Sequence, residues 1–535
     1  MSFREPRNST QAATHRPKRK RIGLAISAIA ISGALALTGC AGSTSAANTS
    51  GEAGQVLRFA ISNEPTKLTT GMNEGTVANT MLTLIHRGLM TYDSNGELTE
   101  GLADKVDQTD PLTYEVILRE NLTFHDGTAL TAKNVKNSLD YYADKAVGSS
   151  LLTGLDDIAS IDVVDDTHLV IQLSAPSSAF LSYLATPAAA IVPDSSLNPE
   201  GNNWVGAGPF SLTNHDKGIG LVLEKFDDYH AADEVSLTEI DMSFYADGEA
   251  RTNALISGDV DFIDYVPWEN FDRVSNTAGL ALDAQAGPFQ YVNFNVAEGP
   301  FANPKVREAV AYALNRENSV LAPFLGHGQA LFGPPISETD PAFDPSMKNL
   351  WSYDPTKAKS LLAEAGYPDG FEATLLTTSQ YKFLQDTALS VQADLEAIGI
   401  KVKLDAPDWP GRIAKGNAGD YDIAVSGSAG MIADPTYING YVTGPNDYSR
   451  SVGYDNAELN SVLEDGLRAS NDADKKKAYK KAFEIIKTDV PFATLSTRDQ
   501  AYAFNSRVTG FKNLPGFLSF YSGYSLANVS LTNGE

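Results

Sequence analysis

The side chains that could do chemistry in this chain are few, and their spacing does not suit it. Seven histidines stand at 15, 86, 125, 168, 215, 230 and 327. None belongs to H-E-x-x-H or another ligand-spaced pair, the arrangement a zinc site on one helix face needs, so no metal is expected. There is no G-x-x-x-x-G-K-[S/T] loop to cradle phosphates and no G-x-S-x-G elbow to expose a serine nucleophile. The acidic pairs Asp156-Asp157 and Asp165-Asp166 lack the glycine and closing glutamate of a calcium loop and read as surface turns. Carboxylate pairs for glycoside hydrolysis converge only in three dimensions, so an extracytoplasmic hydrolase stays open as a reading. The single cysteine, Cys40, has no thiol partner among the 495 residues behind it and cannot form an internal disulfide. Nothing in this inventory points to catalysis, and no cofactor is expected.

The surroundings of Cys40 supply it with another purpose. Arg16, Lys18, Arg19, Lys20 and Arg21 precede an uncharged stretch over 22–37, then Leu37-Thr38-Gly39. A basic region, a short apolar run and small residues before a cut describe a secretory signal over 1–39. L-T-G-C also resembles the bacterial lipobox, where the cysteine takes a diacylglycerol and becomes the new N-terminus. Residues 41–54 are small and polar, so 40–54 read as a flexible tether. The expected location is the extracytoplasmic face of the cell membrane, held by lipid alone, on the periplasmic side where the cell has an outer membrane. The formal net charge is −26, and residues 1–39 carry net +6, leaving −32 for the rest. That charge repels phosphate backbones and argues against nucleic acid. So long a chain exceeds one hydrophobic core, which stops growing near about 250–300 residues, so two or three lobes are expected.

The elements alternate. Period-2 patterning predicts strands at 56–61, 113–119, 168–173, 221–226, 240–245 and 400–404, and Asn95-Gly96 suits a hairpin turn. Thr131 caps a helix that buries Val135, Leu139 and Tyr142. Asn303-Pro304 and Asp354-Pro355 each set a capping residue before a proline at the first helical position, and Gly366 stops the second of these helices. Further helices are predicted over 385–398 and 475–490. Interleaved elements of this kind argue an α/β chain with several sheets. Gly206-Ala207-Gly208 predicts a slim loop, either a tight turn or one that lets backbone approach a ligand.

At Thr113 to Gly127 the chain reads TYEVILRENLTFHDG, which resembles the signature of the family 5 solute-binding proteins of ABC importers. Arg119, Phe124, His125, Asp126 and Gly127 match its R-x-x-x-x-F-H-D-G. Other landmarks follow in family order: Arg58 to Pro65, Gly206 to Phe210, Ser257 to Asp261, NPKVREAVAYALNR from Asn303, Asp354 to Tyr367, and Asp434-Pro435. The likeness covers 56–530. It implies a two-lobed, type II periplasmic-binding-protein-like α/β fold of Venus-flytrap kind. Lobe I would comprise 55–85, 190–286 and 497–535, an extra domain 86–189, and lobe II 287–496.

The same resemblance implies a monomeric, non-catalytic subunit that closes on a peptide or peptide-like solute and docks on permease and ATPase partners. A sensor or pheromone-presenting lipoprotein on the same scaffold is the alternative. It implies Tyr381 and Trp409 as cleft walls, with Glu64, Ser428, Met431 and Asp434 at or near the ligand, and His125 and Asp126 locking a turn within their own lobe. The chain departs from the pattern where Ser428 and Met431 replace the tryptophan and aspartate of W-x-x-D, the grip on a peptide's amino terminus. A buried ammonium needs a paired anion. Either Asp405, Asp408 or Glu64 replaces that aspartate, or the solute is not a free-amine peptide.

Overall fold

The alternating segment at 56–61 forms the strand Val56–Ile61, which buries Leu57, Phe59 and Ile61. The computed structural model describes residues 55–65, 67–72, 75–198, 203–338, 340–428 and 432–532. Cys40, its preceding segment and Met431 lie outside the described residues. Among those described, no helix is long and apolar enough to cross a membrane.

Val56–Ile61 runs parallel to Glu239–Phe244 on one side and to Phe262–Ile263 on the other. From Glu239–Phe244 the sheet continues antiparallel through Gly220–Lys225 to Phe210–Asp216. From Phe262–Ile263 it passes to Phe492–Asn505 and Leu280–Phe294, then to Ile423–Ser428, Phe371–Leu376 and Ile400–Asp405. Ten strands thus share one mixed sheet. Leu280–Phe294 has 15 residues and Phe492–Asn505 has 14, and they pair antiparallel along nearly their whole length. A strand that long spans roughly 50 Å, which serves two lobes rather than one. Midway the register slips: Ala286 faces Asp499 and Phe289 faces Thr497, so Gly287 and Pro288 oppose Arg498 alone. A bulge of this kind bends a strand and accommodates proline, which has no N–H to give the ladder.

A separate four-stranded antiparallel sheet is ordered Ala103–Asp110, Thr113–Leu118, His168–Leu173, Ile158–Val163. Tyr114, Val116 and Leu118 alternate inward on its second strand. The helix Ala132–Ala143 buries Val135, Leu139 and Tyr142, and the Thr131 N–H donates to Asn134 Oδ1 at its start, 2.9 Å away. Asn303 and Asp354 cap as their sequence context predicts, accepting from the N–H of Lys305 at 3.0 Å and of Lys357 at 2.9 Å.

Three distant segments meet at Asp261, which is fully buried at the end of the Ser257–Asp261 turn. Arg58 and Arg507 each reach it at 2.7 Å, and Asn505 Nδ2 donates at the same distance. Burial alone would raise its pKa, but these donors outweigh burial and bring the carboxyl down to about 2.

Gly206 and Gly208 are needed because a Cβ at either would collide with the backbone of Ile85, so the slim loop accommodates a close approach of chain to chain. His125 reaches from its own turn to that loop. Its Nε2 lies 3.0 Å from the Gly208 carbonyl and its N–H donates to the Gly206 carbonyl at 2.8 Å, tying 125 to the 206–208 loop. Asp126 does lock the turn, accepting from the Thr128 N–H at 3.0 Å.

Candidate solute-binding site

Two cavities stand out, and the crossover strands line only the larger. The larger, about 700 Å³, lies between the 95–97 hairpin turn, the segment 329–338 and residues 515–518. The smaller, about 550 Å³, is walled on one side by Ser62, Asn63, Thr76, Tyr265 and Trp268, and on the other by Pro323 and Gln380 to Phe383. Those two walls follow strands on opposite sides of the crossover pair in the ten-stranded sheet. Tyr381, chosen from sequence, lines the smaller cavity. The larger one is lined by none of the chosen residues, only by Ala433 and Pro435 beside Asp434. The smaller cavity is therefore the better candidate, despite its size.

Tyr381 is 37% exposed and precedes the helix Lys382–Ala397, with its ring centroid 5.1 Å from Trp409. Trp409 opens the helix Trp409–Ala418 and also meets Tyr448 at 5.9 Å, which makes an aromatic row. Ser428 ends its strand and hydrogen-bonds through Oγ to the Tyr441 hydroxyl. Asp434 caps the turn that follows, accepting from Thr436 N–H at 2.9 Å, and is paired with Lys475 where both side chains are nearly buried. Glu64 accepts from the Gly218 N–H at 3.1 Å and lies 3.1 Å from His215 Nε2. Asp405 pairs with Lys415, and Asp408 caps the 409–418 helix by accepting from Gly411 N–H at 3.0 Å. Each of the three carboxylates named as substitutes for the missing aspartate thus has a local partner.

The cations near the smaller cavity differ sharply. Arg251 donates to the carbonyls of Tyr245 at 2.6 Å, Tyr265 at 2.8 Å and Asp264 at 3.1 Å, and lies 3.4 Å from the Asp264 carboxylate. Burial raises the Asp264 pKa against the pull of Arg251, and Ser62 Oγ donates to it at 2.9 Å. Lys382 pairs with Asp386. Arg498 is 8% exposed, and no carboxylate lies within 4 Å of it among the described residues. Its guanidinium carbon stands 5.9, 5.8, 5.1 and 6.0 Å from the rings of Tyr265, Trp268, Phe383 and Phe520. Its Nη1 donates to Tyr265 Oη at 3.3 Å and Gln500 Oε1 at 3.4 Å, both neutral and both long. Sequence reasoning missed Arg498. The available signal was an arginine inside FATLSTRDQAYAFN, a run otherwise fit for a buried strand. Among the described residues no group of three or more His, Cys, Asp or Glu side chains could hold a metal ion.

The chain is similar to known binding proteins along nearly its whole length. The glutathione-binding protein GsiB of Escherichia coli K12 is 30% identical over 475 residues, covering 85% of this chain and 90% of that protein. Among solved structures, the PBP AgaA from A. tumefaciens R10, in complex with agropinic acid, superposes with a TM-score of 0.80 at 38% identity, covering 90% and 99% of the two chains. DppA from Helicobacter pylori, in complex with the peptide STSA, shares the fold at TM-score 0.75 and 24% identity over 89% and 98%. The two-domain α/β architecture is that of the type II periplasmic binding proteins. Residues 97–449 match the middle region of the family model. With its extracytoplasmic setting and its cleft between two lobes, the chain belongs to the bacterial extracellular solute-binding proteins of family 5.

Proposed function

We propose that this chain is the substrate-binding subunit of an ABC importer, carrying peptide-like solutes to permease and ATPase subunits. The observation that carries the reading is a cavity whose walls come from segments on either side of two long paired strands, which are interrupted by two register shifts. Solute that touches both walls selects the closed form, and the closed form docks on the permease. The peptide-like class draws on the relatives, whose names give glutathione, agropinic acid and short peptides as ligands. Tyr381 walls the site with Trp409 packed against it, and the sequence at Ser428 and Met431 lacks the usual carboxylate for a free amine. Glu64 and Asp434 act from behind the wall by holding loops in place. The protein works as a monomer, anchored through a diacylated Cys40, with lobe I at 55–85, 190–286 and 497–535, the extra domain at 86–189 and lobe II at 287–496.

Glutathione and agropinic acid are the first probes. A true solute raises the melting temperature, because it binds the native state and not the unfolded chain. It also reduces the radius of gyration in X-ray scattering as the lobes approach. Stabilisation without compaction would replace hinge closure by a preformed site.

A further inference from the structure

The geometry points to Arg498 as the anchor for a carboxylate of the solute, which makes the preferred cargo an anionic peptide-like molecule held by its acid end. This rests on the solute-binding reading above and names the chemistry of that site. A buried guanidinium is ordinarily matched by an anion or saturated by carbonyl oxygens, as Arg251 is in the same wall. Arg498 has neither. Among the described residues its Nε and Nη2 have no acceptor, and its two hydrogen bonds go to neutral oxygens. Instead the cation is kept in place by four aromatic rings, three of which, Tyr265, Trp268 and Phe383, line the cavity. Ring faces tolerate a cation without neutralising it, so its charge remains available to a ligand.

Position strengthens the assignment. Arg498 lies opposite the Gly287-Pro288 bulge, on the strand that joins the two halves of the sheet. Its cage takes rings from both sides of the cleft: Tyr265 and Trp268 from one wall, Phe383 from the other. An anion bound there would reach both walls through one group. The balance of the remaining charges agrees. Glu64, Asp405 and Asp408 are engaged locally and Asp386 is paired with Lys382, which leaves Glu269, on the exposed rim, as the charged lining residue with no ion pair among the described residues; Arg498 itself stands behind the rings that line the cavity. The chain as a whole is strongly acidic, so an anionic solute needs a local cation to enter.

The test uses the full soluble chain from residue 41 and paired probes: reduced glutathione and the dipeptide Met-Leu, each as free acid and as C-terminal amide, plus agropinic acid. Calorimetry is expected to show the acid preferred to its amide by about 10- to 100-fold, the scale of one charge-assisted hydrogen bond. Arg498→Gln should remove that preference, and Arg498→Lys should restore part of it. The melting temperature of the empty protein should not fall in Arg498→Gln, since an unneutralised buried charge is removed. Equal binding of acid and amide by the unmutated protein overturns the proposal. So does an unchanged preference in Arg498→Gln, and so does a fall in the empty protein's melting temperature with ligand binding intact, which would mark a packing role. If none of the probes binds in either form, the peptide-like reading itself fails and this inference fails with it. Binding of the amides with no preference for the acids spares that reading and sinks only the role of Arg498.

Discussion

Arg316, the last residue of NPKVREAVAYALNR, is completely buried. Its Nε donates to the carbonyls of Leu331 at 3.0 Å and Thr494 at 2.9 Å, and its Nη1 to those of Ala311, Leu314 and Trp351 at 3.1–3.2 Å. Burial brings its pKa down to about 9, which still leaves it charged at neutral pH. Arg316→Met should lower stability by about 3–5 kcal/mol, because several buried carbonyls lose their donor together; urea unfolding checks this. Nearby, burial pushes Asp394 up to about 6, although Asn315 N–H donates to it at 2.7 Å and Arg316 attracts its charged form. The folded carboxyl holds its proton more tightly than the unfolded one, so this group's contribution is greatest below about pH 4 and is lost as pH rises through 6. Asp394→Asn keeps the acceptor and removes the charge. It should stabilise the protein by about 2 kcal/mol at pH 8 and by almost nothing at pH 4. The same gain at both pH values would contradict this account.

Among the elements, the bulged crossover pair is the hinge that the proposed closure requires. A Cβ on Gly287 would collide with the Gly516 carbonyl and come within 3.2 Å of Ser519 Oγ. Gly287→Ala should therefore displace the Gly516–Asn528 turn, cost about 1–3 kcal/mol and change the extent of solute-induced compaction in X-ray scattering. Compaction equal to the unmutated protein's would show that the bulge is not the pivot. These strands are also where sequence reading fell short. Short alternating segments such as His168–Leu173 were legible because one face is wet and period 2 shows. Most of Phe492–Asn505 is buried on both faces, so its composition carries no alternation, and the later half of its partner is buried throughout as well. Caps at Thr131, Asn303 and Asp354 were legible because their chemistry is local. Of the proposed site, Tyr381 and Trp409 stand out in the sequence because they follow strand ends, whereas Arg498 becomes informative only when rings from three separate segments close round it.

At the scale of the whole molecule, the anchor proposed at Cys40 can be tested apart from the described body. On that proposal Cys40→Ser should leave the melting temperature of the body unchanged and release the protein from membranes into the medium or periplasm, because the lipid would be its one hold there. Retention of the serine variant in the membrane fraction after a high-salt wash would contradict the anchor. The body has a further property that follows from how Asp261 is surrounded. Its shell needs Arg58 from the opening strand, Asn505 from the end of the second crossover strand and Arg507 just after it, and Phe262–Ile263 sits between Val56–Ile61 and that same late strand. The half of the sheet that is made first in biosynthesis is thus completed by the part made last. Contacts of such sequence separation form slowly, because the loop must close before any pairing rewards it. A nascent chain of this design stays open until synthesis is almost complete, the state in which an exported protein can still be threaded across a membrane.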